Sequence, residues 1–142
     1  TPQTEKPEKQ SSSGKGRTLR LEAHLLVGEE LDLGAPGRSV GDQFVFSGNL
    51  SKTRDPDRVV GRFSGFCVIA DLERNAGPCT LTAVLDGGQI SVQGEQRGIP
   101  TPARVSNAIT GGTGTFRAAR GEMTLEARTA ATWSLTFHLT GH

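Results

Sequence analysis

Tyrosine is absent from this sequence, tryptophan and methionine occur once each, and cysteine occurs only twice. Six phenylalanines complete the aromatic set against nineteen glycines, a balance that reads as many turns between short strands. An excess of one charge is also missing. Sixteen Lys and Arg face fifteen Asp and Glu, and a net +1 gives no global field to gather nucleic acid or a membrane surface. No apolar run approaches the ~20 residues that a bilayer-spanning helix needs. Thr1 to Gln10 is polar and has no apolar centre, so no signal peptide is expected there. A chain of 142 residues is long enough for one domain with a single core.

Several chemical signatures are missing too. His24, His138 and His142 stand at no ligand spacing with Cys67 and Cys79, so no metal is expected. No His lies on an inward face beside Ser or Cys, which argues against a nucleophilic triad. Inward positions carry no paired carboxylates of the kind glycoside hydrolysis uses. The glycines of AITGGTGTFRAARGEM (Ala108–Met123) do not open a helix, as a phosphate-cradling loop requires. They lead through Phe116 into a second strand, and read as positive-φ positions in a tight β-connection. Nucleotide binding is not expected.

What the chain does contain is period two, the strand signal. Leu19, Leu21, Ala23, Leu25 and Val27 alternate with mixed positions, and Phe44, Phe46, Gly48 and Leu50 form the next apolar face. Phe63, Gly65, Cys67 and Ile69 follow, then Cys79 to Leu85, Ile90 to Gln96, and Met123 to Ala127. The cleanest alternation is the last: Ala131, Trp133, Leu135, Phe137, Leu139. No segment carries a helical stripe. Many short strands separated by Gly-, Pro- and Asp-rich loops predict an all-β barrel or sandwich, and a closed barrel removes exposed edges. Residues 1–17 (TPQTEKPEKQSSSGKGR) cannot bury enough apolar surface to order themselves. They read as a flexible polar tail or a lid over the barrel mouth, with the barrel domain spanning 18–142.

Cys67 and Cys79 flank the loop Glu73–Pro78. A hairpin about that loop sets them face to face, either as a disulfide, which points to an oxidising compartment and export, or as two small buried apolar groups. The inward positions include Ala23, Gly48, Gly65, Cys67, Ala83 and Gly94. Small residues there leave volume for one ligand, unless neighbouring rings fill it.

Four blocks in order, GDQFVFSGNL (Gly41–Leu50), VGRFSGFCVIA (Val60–Ala70), GGQISVQG (Gly87–Gly94) and Ala108–Met123, resemble the allene oxide cyclase and dirigent superfamily. The resemblance implies an eight-stranded antiparallel β-barrel of allene oxide cyclase type, with an apolar lumen in which conjugated substrates are cyclised or coupled stereoselectively. It places Glu29 where plant cyclases hold a polar lumen residue, and matches Cys67 to a lumen cysteine. It also shows departures: the lumen glutamate falls on Val27, a water-binding asparagine on Gly48 and a tyrosine near Gln96. These departures speak against the plant reaction, not against the barrel.

Glu29 continues the odd-numbered face of strand one, so period two aims its carboxylate into the lumen. There its pKa would rise toward a range useful for proton transfer, unless the strand ends at Gly28. Gln96 shares a face with Ile90 and Val92 and could hold a substrate carbonyl, unless it faces water. Glu29 and Gln96 are therefore the candidate catalytic residues. Val27, Phe44, Phe46, Cys67, Ile69, Trp133 and Phe137 are the candidate substrate-binding set, with the rings ordinary core as the alternative. The expected function is a cofactor-independent cyclase or isomerase. It would fold a small, apolar, conjugated, polyketide-type substrate for ring closure such as an intramolecular [4+2] cycloaddition, as bacterial relatives of such barrels do. A non-catalytic dirigent-type binder is the alternative. No nucleic acid or membrane partner is expected, and the resemblance allows a homodimer or homotrimer. A biosynthetic cyclase would be cytoplasmic.

Overall fold

The structure is a computed structural model that describes residues 16–100 and 104–140. Eight antiparallel strands form a closed barrel in which every strand pairs with its sequence neighbours and the last returns to the first. They are β1 (Arg17–Leu31), β2 (Gln43–Lys52), β3 (Asp55–Val68), β4 (Ala76–Leu85), β5 (Gly88–Arg97), β6 (Arg104–Gly112), β7 (Arg120–Thr129) and β8 (Thr132–Thr140). The expected all-β, eight-stranded barrel is what the chain forms. The first strand begins at Arg17 rather than Thr18. The tail or lid expected over 1–17 otherwise lies outside the described residues.

The alternation predicts the inner face of most strands. Phe44, Phe46, Phe63, Cys67, Ile69, Leu81, Ile90, Val92, Met123, Leu125, Trp133, Leu135 and Phe137 are all buried in one core. The β6–β7 connection differs from expectation. Gly111 and Gly114 do take positive φ, but Gly114–Phe116 form a 3-10 turn and the next strand starts only at Arg120. The ring of Phe116 is buried beneath that turn rather than opening a strand.

Cys67 and Cys79 pair in register across β3 and β4, with Cα atoms 4.1 Å apart, and form a disulfide. Of the two readings the sequence left open, the bonded one holds.

The middle of the lumen is filled, not hollow. Phe44, Phe46 and Phe63 line up with ring centroids 5.5 and 6.1 Å apart, and Trp133 meets Phe46 edge-on at 5.1 Å. The small inward residues do not leave the volume expected of them. A Cβ on Gly65 would stand 2.1 Å from the Thr80 carbonyl oxygen and within 2.9 Å of the Phe46 ring. That glycine lets an aromatic ring lie against the sheet, so absence of a side chain here serves close packing.

Candidate functional site

Strand one decides where the site sits. Its odd-numbered face is inward through Ala23, but the register slips between Leu25 and Val27, a β-bulge at Leu26. A bulge adds one unpaired residue, and every residue beyond it changes face. Leu26 is 71% exposed and Val27 42%. Beyond the slip, Gly28 pairs with Phe46 and Glu30 with Phe44, both inward partners, whereas Glu29 pairs with outward-facing Val45. Directly opposed residues share a face. The expected placements of Glu29 and Val27 in the lumen are therefore corrected: Glu29 is exposed on the outer wall, Val27 lies opposite Ser47, and the acid that reaches the mouth is Glu30.

Three loop segments rise at that end, over 32–42, 69–75 and 98–100. With the ends of β1 and β2 they enclose a cup of about 430 Å³. Phe44, Ile69 and Ile99 give it an apolar floor, and Glu30, Asp32, Arg38, Asp42, Gln43 and Asn75 a polar wall. Apolar floor with a few fixed polar groups is the usual constitution of a small-molecule site.

Hydrogen bonds hold the wall. Asn75, at φ 53°, takes a left-handed conformation that asparagine tolerates better than most residues. The Arg38 guanidinium donates to its Oδ1 at 2.6 Å, and its Nδ2 donates to the Ile99 carbonyl at 2.6 Å. One side chain thus ties all three loops together. Asp42 braces the long loop from within: its carboxylate accepts the Leu33 and Ser39 N–H groups at 2.9 and 3.0 Å and the Ser39 hydroxyl at 3.1 Å. Asp32 accepts the Gly37 N–H at 3.0 Å.

Burial pushes the Asp42 carboxyl upward, but the Ser39 and Leu33 hydrogen bonds and the Arg38 charge outweigh it and hold the pKa below the ordinary 3.8. A folded-state pKa below the unfolded one makes its contribution complete above about pH 4 and lost as pH falls through the lower, folded value. We expect the cup loops, followed by amide hydrogen exchange at Leu33 and Ser39, to loosen on acidification below the ordinary carboxylate range. Asp42→Asn should give fast exchange there at every pH. Protection equal to wild type in Asp42→Asn would show that the carboxylate does not brace the loop.

The remaining candidates divide between two levels. Phe44 and Ile69 lie at the cup floor. Phe46, Trp133 and Gln96 lie deeper, around a small chamber of about 10 Å³ shared with Asn107. Gln96 faces inward as expected and is 5% exposed. Cys67 is buried in its disulfide, and Phe137 is ordinary core. Sequence reasoning missed Glu30, Arg38, Asp42 and Asn75. Their signals were weak: Asn-Ala-Gly marks a turn that favours a left-handed residue, but nothing in Leu25-Leu26-Val27 announces a bulge.

Comparison with known proteins fits this geometry. Among solved structures, a pyocyanin demethylase is 29% identical with a TM-score of 0.75, over 87% of this chain and 100% of that one. A pterocarpan synthase dirigent protein is 18% identical with a TM-score of 0.64, over 89% of this chain and 87% of that one. An exo-specific intermolecular Diels-Alderase is 13% identical with a TM-score of 0.70, over 89% of this chain and 98% of that one. No curated protein sequence matches the chain. The model of the dirigent-like protein family matches residues 15–140, and with the closed eight-stranded barrel this places the chain in that family, within the wider superfamily of dirigent and allene oxide cyclase-like barrels.

Proposed function

We propose that this protein is a cofactor-independent enzyme of the cyclase or isomerase type that takes a compact, conjugated small molecule into the cup. There it promotes ring closure or rearrangement, with Glu30 holding or moving a proton. The observation that carries this reading is the cup itself: about 430 Å³ with an apolar floor of Phe44, Ile69 and Ile99 and a carboxylate on the wall. Its shape revises the expected substrate. A long polyene threaded through the barrel has no room past the Phe46–Trp133 contact, whereas a planar ring system can lie on Phe44. Rate would come mainly from holding one reactive conformer, which in well-oriented systems supplies ~7–11 kcal/mol. Support comes from the neighbours: one is named for demethylating pyocyanin, a planar conjugated ring system, and one for a Diels–Alder reaction.

The test uses pyocyanin as a binding probe, with quenching of the lone tryptophan as the readout. Planar conjugated ring-closing and rearranging substrates serve as turnover probes, with absorbance reporting conversion by purified protein without added oxidant. Where turnover is found, Glu30→Gln should lower kcat about 100-fold, the lower end for positioned acid–base groups, and Glu29→Gln should leave it unchanged. The reverse ranking would remove Glu30 from the mechanism. A second reading is favoured by the family and by the hydrogen bonds that occupy Asp32 and Asp42: a non-catalytic dirigent-type barrel that orients a ligand for chemistry performed elsewhere. Quenching without turnover, across ring-closing and rearranging substrates, would decide for that binder.

A further inference from the structure

Below the cup floor, the barrel holds one buried polar atom without a protein partner. Among the described residues, the Trp133 indole Nε1 is the buried side-chain nitrogen or oxygen that no hydrogen-bonding group reaches, and the residue is 1% exposed. An indole N–H is a donor only, and buried donors are costly to leave unmet. The indole borders the small inner chamber, whose lining also includes Gln96, Asn107, Phe46, Met123 and Leu125.

The chamber lies where two strands part. The β5–β6 ladder ends at the Gln93–Ala108 pair, although β5 runs on to Arg97. Asn107 takes over beyond that point, its Nδ2 donating to the Glu95 and Ser106 carbonyls at 3.2 Å each. Gly94 makes the room: a Cβ there would stand 2.2 Å from that Nδ2. With its amide nitrogen so used, Asn107 has its Oδ1 left to accept a hydrogen. Gln96 offers a further amide from the same splayed edge.

The chamber measures about 10 Å³, and one water needs about 10–15 Å³ of such space with two to four polar partners. We infer that a single water molecule occupies this seat, accepting the Trp133 N–H and donating to the side-chain oxygens of Gln96 and Asn107. It links β8 across the barrel to β5 and β6 where main-chain pairing stops, and fixes the indole edge-on to Phe46. Gln96 is then a positioning residue for the cup floor rather than a group that touches substrate. The seat does not depend on what the cup binds.

The chain has one tryptophan, so its indole proton gives a single, unmistakable NMR signal. In full-length, ¹⁵N-labelled protein, that proton should show a cross-peak at the water frequency whose sign in the rotating-frame experiment is that of a direct, long-lived contact. It should persist in Thr80→Val, a control on the outer face of β4, where Thr80 stands opposite the exposed Phe66. It should fall several-fold in Gln96→Leu. Absence of the cross-peak in wild type, a sign showing chemical exchange, or undiminished intensity in Gln96→Leu would each overturn the inference.

Discussion

Trp133→Ala should cost about 3–5 kcal/mol of folding stability, the range for truncating a large buried aromatic side chain. The side chain is 1% exposed and lies 5.1 and 6.0 Å from the Phe46 and Phe63 ring centroids, so truncation removes the central piece of the lumen. Such ring pairs add ~0.5–1.5 kcal/mol beyond the area they bury. The barrel cannot contract into the space, because eight strands closed on themselves fix the diameter. Against a typical total of about 5–15 kcal/mol, this is a large share, and the melting temperature should fall by about 10–20 °C. Chemical denaturation should show the midpoint shift with little change in slope. Added indole should restore part of the loss, since a dry apolar void binds rings of its own shape. A loss below about 1 kcal/mol would mean that other side chains fill the lumen unaided.

Breaking the Cys67–Cys79 bond should be the next largest effect. The bond closes a segment of 12 residues, for which the chain-entropy model gives roughly 3 kcal/mol. A hairpin that retains some structure when unfolded would lose less. We expect reduction, or Cys67→Ala with Cys79→Ala, to lower stability by about 2–3 kcal/mol while the strand signal in circular dichroism persists at room temperature. The barrel is closed by backbone ladders that the bond does not supply. Equal midpoints with and without reductant, with reduction verified by the mass gain of two hydrogens, would overturn this. A bond of this kind lasts in oxidising surroundings and is rare in a reducing cytosol, which joins the stability of this barrel to its compartment.

Both effects concern residues whose inward direction could be read from alternation. Phe44 and Phe46 alternate from the start of β2, Trp133 and Phe137 alternate along β8 with the extra residue lying on β7, and Phe63 to Cys67 alternate in unbroken register beyond the irregularity at Val60. Glu29 was assigned by the same logic and fails for one reason. Alternation carries side-chain direction only as far as the register is unbroken, and the slip at Leu26 breaks it three residues earlier. A sandwich of apolar residues, Leu25-Leu26-Val27, looks alike with or without a bulge. The cup wall was hidden differently: Arg38, Asn75 and Ile99 are far apart in sequence and meet only because three loops emerge at one barrel end.

The sequence by itself therefore determined the all-β class and most of the core, because binary patterning acts locally and each strand needs only its own residues to declare a face. Eight strands closed into a barrel were what the family resemblance implied, the pattern alone leaving a sandwich open. Whether the lumen is open was a matter for the tertiary structure, since filling depends on how rings from β2, β3 and β8 meet across the barrel and on glycines that admit them. So was the identity of the acid at the mouth. A single extra residue in one strand moved that role from Glu29 to Glu30, and its effect exists only relative to the partner strand against which register is counted.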